Sequence, residues 1–166
     1  MNKIILSFAA LLISTGAFAD DKGEASAKDK DCDNGSLTGP YTYEVSGVNL
    51  FPLPDVGLVT RSTHVVGQVF FDGKGRADFT GFGSTAGQVV DKIGTGDYKV
   101  NPDCTVTGTM NWEGPVAQTS TFNIMLDQID NNPTTKKAYH GYVLAAAADV
   151  GSSASGSITR IERFPK

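Results

Sequence analysis

The sequence predicts an all-β protein, a single antiparallel up-and-down β-barrel of eight or nine strands. Three observations carry that expectation. Beyond residue 19 the chain holds 14 Val and 15 Thr against 6 Leu and 4 Glu, a balance that favours strands over helices. Apolar residues recur at every second position in several segments. The segments break at Gly-rich turns, with 18 glycines in the same stretch. A sheet of this size usually closes on itself or splits into a sandwich, and steady hairpin succession favours closure.

Met1 to Ala19 reads as a cleaved signal peptide. Lys3 precedes an apolar run from Ile4 to Ile13, and Ala17-Phe18-Ala19 puts small residues at −3 and −1 before Asp20. The run is too short for a bilayer span of about 20 apolar residues, and no later segment is long and apolar enough either. A periplasmic or secreted protein without stable membrane insertion follows. Removing the leader takes Lys3, leaving 13 basic against 18 acidic residues, a net charge of −5. An acidic chain without a basic stripe is a poor match for nucleic acid. Asp20 to Asp31 is charged and aperiodic, a mobile arm, and one β domain runs from Cys32 to Lys166. In an oxidising compartment the only two cysteines, Cys32 and Cys104, pair as a disulfide.

Tyr41, Tyr43 and Val45 share one strand face, with Thr42, Glu44 and Ser46 on the other. Asn49 to Ser62 is irregular and proline-containing, so Leu50, Phe51 and Leu53 suit a lid loop across one mouth. Val65 to Phe71 is a mostly apolar strand. Asp72-Gly73-Lys74-Gly75 turns the chain, because these residues tolerate positive φ, and Arg76 to Phe82 returns. Gln88 to Ile93 and Gly96 to Val100 form the next pair, turned at Gly94-Thr95-Gly96. After a turn at Asn101-Pro102-Asp103, Cys104, Val106, Met110 and Trp112 alternate with Thr105, Thr107, Thr109 and Asn111. Thr121 to Ile129 follows and breaks at Asp130-Asn131-Asn132-Pro133. Tyr139 to Ala147 and Ser155 to Phe164 complete the set, with a short helix over Leu144 to Ala148 as the alternative.

Gly39-Pro40-Tyr41-Thr42-Tyr43, Val66 to Gly75 and Gly96-Asp97-Tyr98-Lys99-Val100-Asn101-Pro102-Asp103-Cys104 occur in that order. Over Cys32 to Trp112 this resembles a group of small exported bacterial β-barrel proteins, similar in outline to the calycin superfamily of lipocalins and allene oxide cyclase-like barrels. The remainder agrees by strand pattern. The motifs are specific for the group, not for an activity. Lipocalins carry Gly-x-Trp on the first strand, stacked beneath an Arg from the end of the barrel. Gly39-Pro40-Tyr41 stands at that place with Tyr for Trp, so the resemblance implies a barrel-end cap of Tyr41 and Arg160. The other reading makes Tyr41 an ordinary core aromatic.

His64 and His140 are the only histidines, and any general-base or metal chemistry passes through them. Neither sits in a metal-ligand spacing, no Gly-x-Ser-x-Gly or His-Glu-x-x-His occurs, and no Gly-rich loop opens a helix. The expectation is no catalytic residue, no metal and no cofactor. Tyr43, Phe70, Phe79, Tyr98, Trp112 and Phe122 either fill the interior or line a pocket for a small hydrophobic ligand. The expected function is an exported non-catalytic barrel that binds or carries such a ligand, or an envelope partner. The alternatives are a cyclase- or isomerase-like barrel using an interior carboxylate such as Glu44 or Glu113, and a secreted interaction protein with a solid barrel.

Overall fold

A computed structural model describes residues 32–53, 55–85, 87–113, 118–130, 136–147 and 151–162, with Phe51, Pro52 and Thr85 described by backbone alone. The leader Met1–Ala19, the arm Asp20–Asp31, the Asn131-Asn132-Pro133 break and the Phe51 side chain lie outside the described features. Eight strands follow in order: β1 Thr38–Leu53, β2 Gly57–Asp72, β3 Arg76–Thr85, β4 Gln88–Val100, β5 Thr105–Trp112, β6 Gln118–Ile129, β7 Ala138–Ala147 and β8 Ser152–Arg160. Each pairs antiparallel with the next, and β8 returns to β1, so the up-and-down sheet closes in a ring. The described residues contain no α-helix, only a 3-10 turn at Asn34–Ser36.

The period of two sorts every strand into an inner and an outer face. In β6, Ser120, Phe122, Ile124 and Leu126 are buried while Thr121, Asn123 and Met125 are exposed. The alternating run of β5 puts Val106 and Met110 inside, as the sequence implies. The Asp72 turn also forms as expected. Its Oδ1 accepts the N–H groups of Lys74, Gly75 and Arg76 at 2.7, 2.9 and 2.9 Å. Gly73 and Gly75 there have φ of 76° and 117°. These backbone bonds, led by that from Arg76, hold the Asp72 carboxyl below its usual range.

Two expectations are corrected. Gly94-Thr95-Gly96 is not a turn but the middle of one continuous β4, which fixes the strand number at eight. A Cβ at Gly94 would lie 3.0 Å from the Trp112 ring, and one at Gly96 3.2 Å from the Phe79 ring. These glycines let the β5 backbone at Asn111 and Thr109 and the two aromatic rings approach; they do not reverse the chain. Asn49–Ser62 is not a lid loop. β1 and β2 continue through it in register to Leu53↔Gly57, and Asp55 turns the chain with φ 67°. Pro52 is tolerated because β8 pairs with β1 only as far as Val48, so only β2 flanks it. The strand expected over Tyr139 to Ala147 forms, and the helical alternative is set aside at Leu144, which pairs with Asn123 and Ser155. Tertiary pairing overrides the helix propensity of the alanine run.

One end of the ring is closed. The Tyr41 hydroxyl donates to the Ala138 carbonyl at 2.6 Å, and Tyr41 packs edge-on against Phe71 at 5.5 Å. Below them Cys32 and Cys104 are joined in a disulfide, with Cα atoms 5.1 Å apart and a sequence separation of 72. The bond anchors a plug whose Asn34 side chain accepts the Val100 N–H at 2.8 Å. Leu37 in this plug is fully buried.

Candidate functional site

The interior narrows from an open mouth to that plugged end. Between them lies an apolar cavity of about 50 Å³, lined by Tyr43, Val69, Phe79, Met110, Trp112, Phe122 and neighbouring aliphatic side chains. Four of the six aromatics predicted as ligand-lining therefore meet around one space. Phe79 is the hub, with ring centroids 6.2 Å from Tyr43, 6.0 Å from Trp112 and 6.0 Å from Phe122.

The other two aromatics are elsewhere. Phe70 faces solvent, 51% exposed, because pairing of Tyr41 with Val69 puts the odd-numbered residues of β2 inside. Phe71 takes the interior place, and the sequence reading misses it. Tyr98 is inside but one layer lower. Its hydroxyl donates to the Leu37 carbonyl at 2.9 Å and accepts the Gly73 N–H at 2.9 Å, so it ties the plug to the ring.

Arg160 and Tyr41 do come together, as paired residues of β8 and β1. The Arg160 guanidinium carbon is 6.0 Å from the Tyr41 ring centroid and 5.8 Å from that of Tyr139. Two ring faces supply the electrostatic partner that the buried Nη1 finds in no hydrogen bond. Of the lid candidates, Leu50 packs towards Gly151, where a Cβ would lie 2.8 Å from its Cδ1, while Leu53 is exposed at 36%.

Above the cavity, Val45, Met110, Trp112 and Ala145 belong both to its lining and to that of a mouth of about 90 Å³. Trp112 and Met110 thus form the partition between the two spaces. The mouth adds polar groups from Asn49, Thr63, Lys92, Gln118, Ser120 and Ser152. Burial raises the Tyr43 phenol to about 12, and its oxygen has no hydrogen-bond partner.

Among the described residues that line the cavity and the mouth, none is a carboxylate. Glu44 points outward from β1 with a side chain 67% exposed, and Glu113 is exposed beyond the end of β5. The cyclase-like alternative calls for an interior carboxylate, and neither of the two named candidates faces inward.

The outer face holds two clusters that sequence reading missed. Ser46 Oγ lies 2.6 Å from His64 Nδ1, and His64 Nε2 lies 3.4 Å from Glu44 Oε1. Ser46 and His64 are direct cross-strand partners, a relation that appears once pairs are counted outward from a turn centred on Asp55. The trio contains a serine, a base and an orienting carboxylate, but it lies on open sheet whose strands are paired on both sides. Backbone N–H groups engaged in a ladder cannot form an oxyanion hole. The second cluster pairs His140 Nδ1 with Asp127 Oδ1 at 2.7 Å, beside the Tyr142 ring. Among the described residues no group of three His, Cys, Asp or Glu side chains is placed to hold a metal ion. Comparison of the chain with protein-family models, with curated proteins and with solved structures finds no match.

Proposed function

We propose that this chain is an exported, non-catalytic, calycin-like barrel that binds a small hydrophobic ligand inside its ring. The observation that carries this reading is the wholly apolar cavity enclosed by Tyr43, Phe79, Trp112 and Phe122. An apolar space of this kind stays dry and gains from any apolar guest that fits it. Its size restricts the guest to a few heavy atoms, or to the tip of a longer chain, because drug-sized ligands fill about 300–1,000 Å³. Passage from the mouth needs only side-chain motion of Met110 and Trp112, and Met is the most adaptable of the apolar residues. The Cys32–Cys104 bond supports a location outside the reducing cytoplasm, in the periplasm or beyond. The absence of interior acids among the described residues supports a carrier over a cyclase or isomerase.

A second reading is favoured by one specific feature. Past Val48 and Thr63 no third strand pairs with the β1–β2 hairpin among the described residues, and its Val56 and Leu58 are each 69% exposed. An apolar ribbon of this kind suits an envelope partner that the ring presents it to. Native mass spectrometry of protein purified from its own cell envelope separates the readings. The carrier reading predicts a chain that begins at Asp20 with a small co-purifying adduct, released on unfolding. A bare mass from freshly isolated protein, with a protein partner retained instead, supports the second reading and contradicts the first.

A further inference from the structure

Lys92 is the one cation among the described residues that line the mouth. It sits on β4 facing inward, its stem close over Gly83, where a Cβ would lie 3.0 Å from Lys92 Cε. Its ammonium stands 5.7 Å from the Trp112 ring centroid. Lys92 makes no ion pair among the described residues, and the other mouth side chains are hydroxyls, amides or apolar groups. A cation whose nearest partner is the indole that partitions mouth from cavity gives the passage a polarity. Positive charge lies at the top, hydroxyl and amide groups line the rim, and purely apolar wall lies below.

We infer that the ligand is a short amphiphile with a single negative charge, a small monocarboxylate whose head pairs with Lys92 and whose tail occupies the cavity. This deepens the carrier reading and rests on it. One ammonium balances one charge, and Asn49 and Gln118 supply amide N–H donors for the second carboxylate oxygen. The two spaces of about 50 and about 90 Å³, once joined, approach the ~150 Å³ that holds benzene. That comparison sets the enclosed part of the guest at about six heavy atoms, a five-carbon tail running from mouth to cavity and the head carbon beside Lys92. The pairing is stronger here than on open surface, because the indole and the ring wall exclude part of the solvent around the ammonium.

The chain contains one Trp, so the fluorescence of Trp112 reads the partition directly. Hexanoate and 1-hexanol are titrated into the intact disulfide-bonded protein, with near-UV circular dichroism confirming that each variant is folded. The inference predicts a saturable change with hexanoate, at least tenfold tighter than with hexanol and weakened by salt. Lys92→Met removes the preference while leaving hexanol binding in place, and Lys92→Arg retains it. If the wild type binds both equally, or the preference survives Lys92→Met, the charge inference is wrong and the carrier reading stands. If neither compound changes the signal at millimolar concentration, both fail together.

Discussion

Gly67 and Gly81 face each other across β2 and β3, and the Tyr43 hydroxyl lies over both. A Cβ at either glycine would come within 2.9 Å of that oxygen. The same Cβ would press still harder on the facing backbone, the Thr80 carbonyl for Gly67 and the Val66 carbonyl for Gly81, so the bare glycines let both the two strands and the Tyr43 ring approach. Gly67→Ala or Gly81→Ala is therefore expected to push β2 and β3 apart, displace Tyr43 and destabilise the fold by about 1–3 kcal/mol, the usual cost of overpacking. Chemical denaturation measures it. A Gly81→Ala protein of wild-type stability contradicts this packing.

Two tyrosines separate hydrogen bonding from burial. Tyr41 donates a buried 2.6 Å bond to the Ala138 carbonyl, so Tyr41→Phe removes a made hydrogen bond and is expected to cost about 1–2 kcal/mol. The Tyr43 oxygen is buried without a partner, so Tyr43→Phe removes a desolvated group and is expected to be neutral or stabilising. Equal losses in the two variants are the opposing result.

Alkali opens the fold through its tyrosines. Burial raises the phenols of Tyr41, Tyr43 and Tyr98 to about 12 each, although for Tyr41 the nearby Arg160 charge pulls the other way. In the unfolded chain a tyrosine ionises near 10. The folded state therefore disfavours the phenolate. The contribution of these groups is intact below about pH 10 and is lost as pH rises from there to about 12. Phenolate absorbance at 295 nm should rise in step with the loss of near-UV dichroism. Full ionisation of all the tyrosines with the dichroism unchanged contradicts this placement.

The disulfide fastens the plug at the closed end. Replacing Cys32 and Cys104 by Ser frees a segment that otherwise closes a 72-residue span, with an expected loss of roughly 4 kcal/mol. Hydrogen exchange at Val100, whose N–H bonds to Asn34, should accelerate more than exchange in the middle of β6. Uniform acceleration through the ring argues against a local plug.

Much of this fold is legible in local sequence. The Asp72 turn, the alternation from Cys104 to Trp112 and the disulfide depend on neighbouring residues or on a cysteine count of two. What local reading misplaces depends on register. Gly94 and Gly96 have the composition of a turn, and only the β5 backbone and the Trp112 and Phe79 rings from other strands show why the chain runs straight. Phe70 and Phe71 differ by one residue, and so by a whole sheet face. The Ser46–His64–Glu44 trio is invisible until β1 and β2 are paired. For the cavity, sequence supplied four of the aromatic walls, but its volume is the residue of close packing and no local pattern encodes it.

The central claim is that the space beneath Trp112 admits a small apolar guest, and xenon binding followed by methyl NMR tests it most directly. The account predicts saturable shifts at the methyl groups of Val69, Met110, Ile124 and Val143, which line the cavity, with the outward Val66 unmoved. Absence of shifts at the lining methyls under xenon pressure, or shifts confined to the outer Val66, would contradict it.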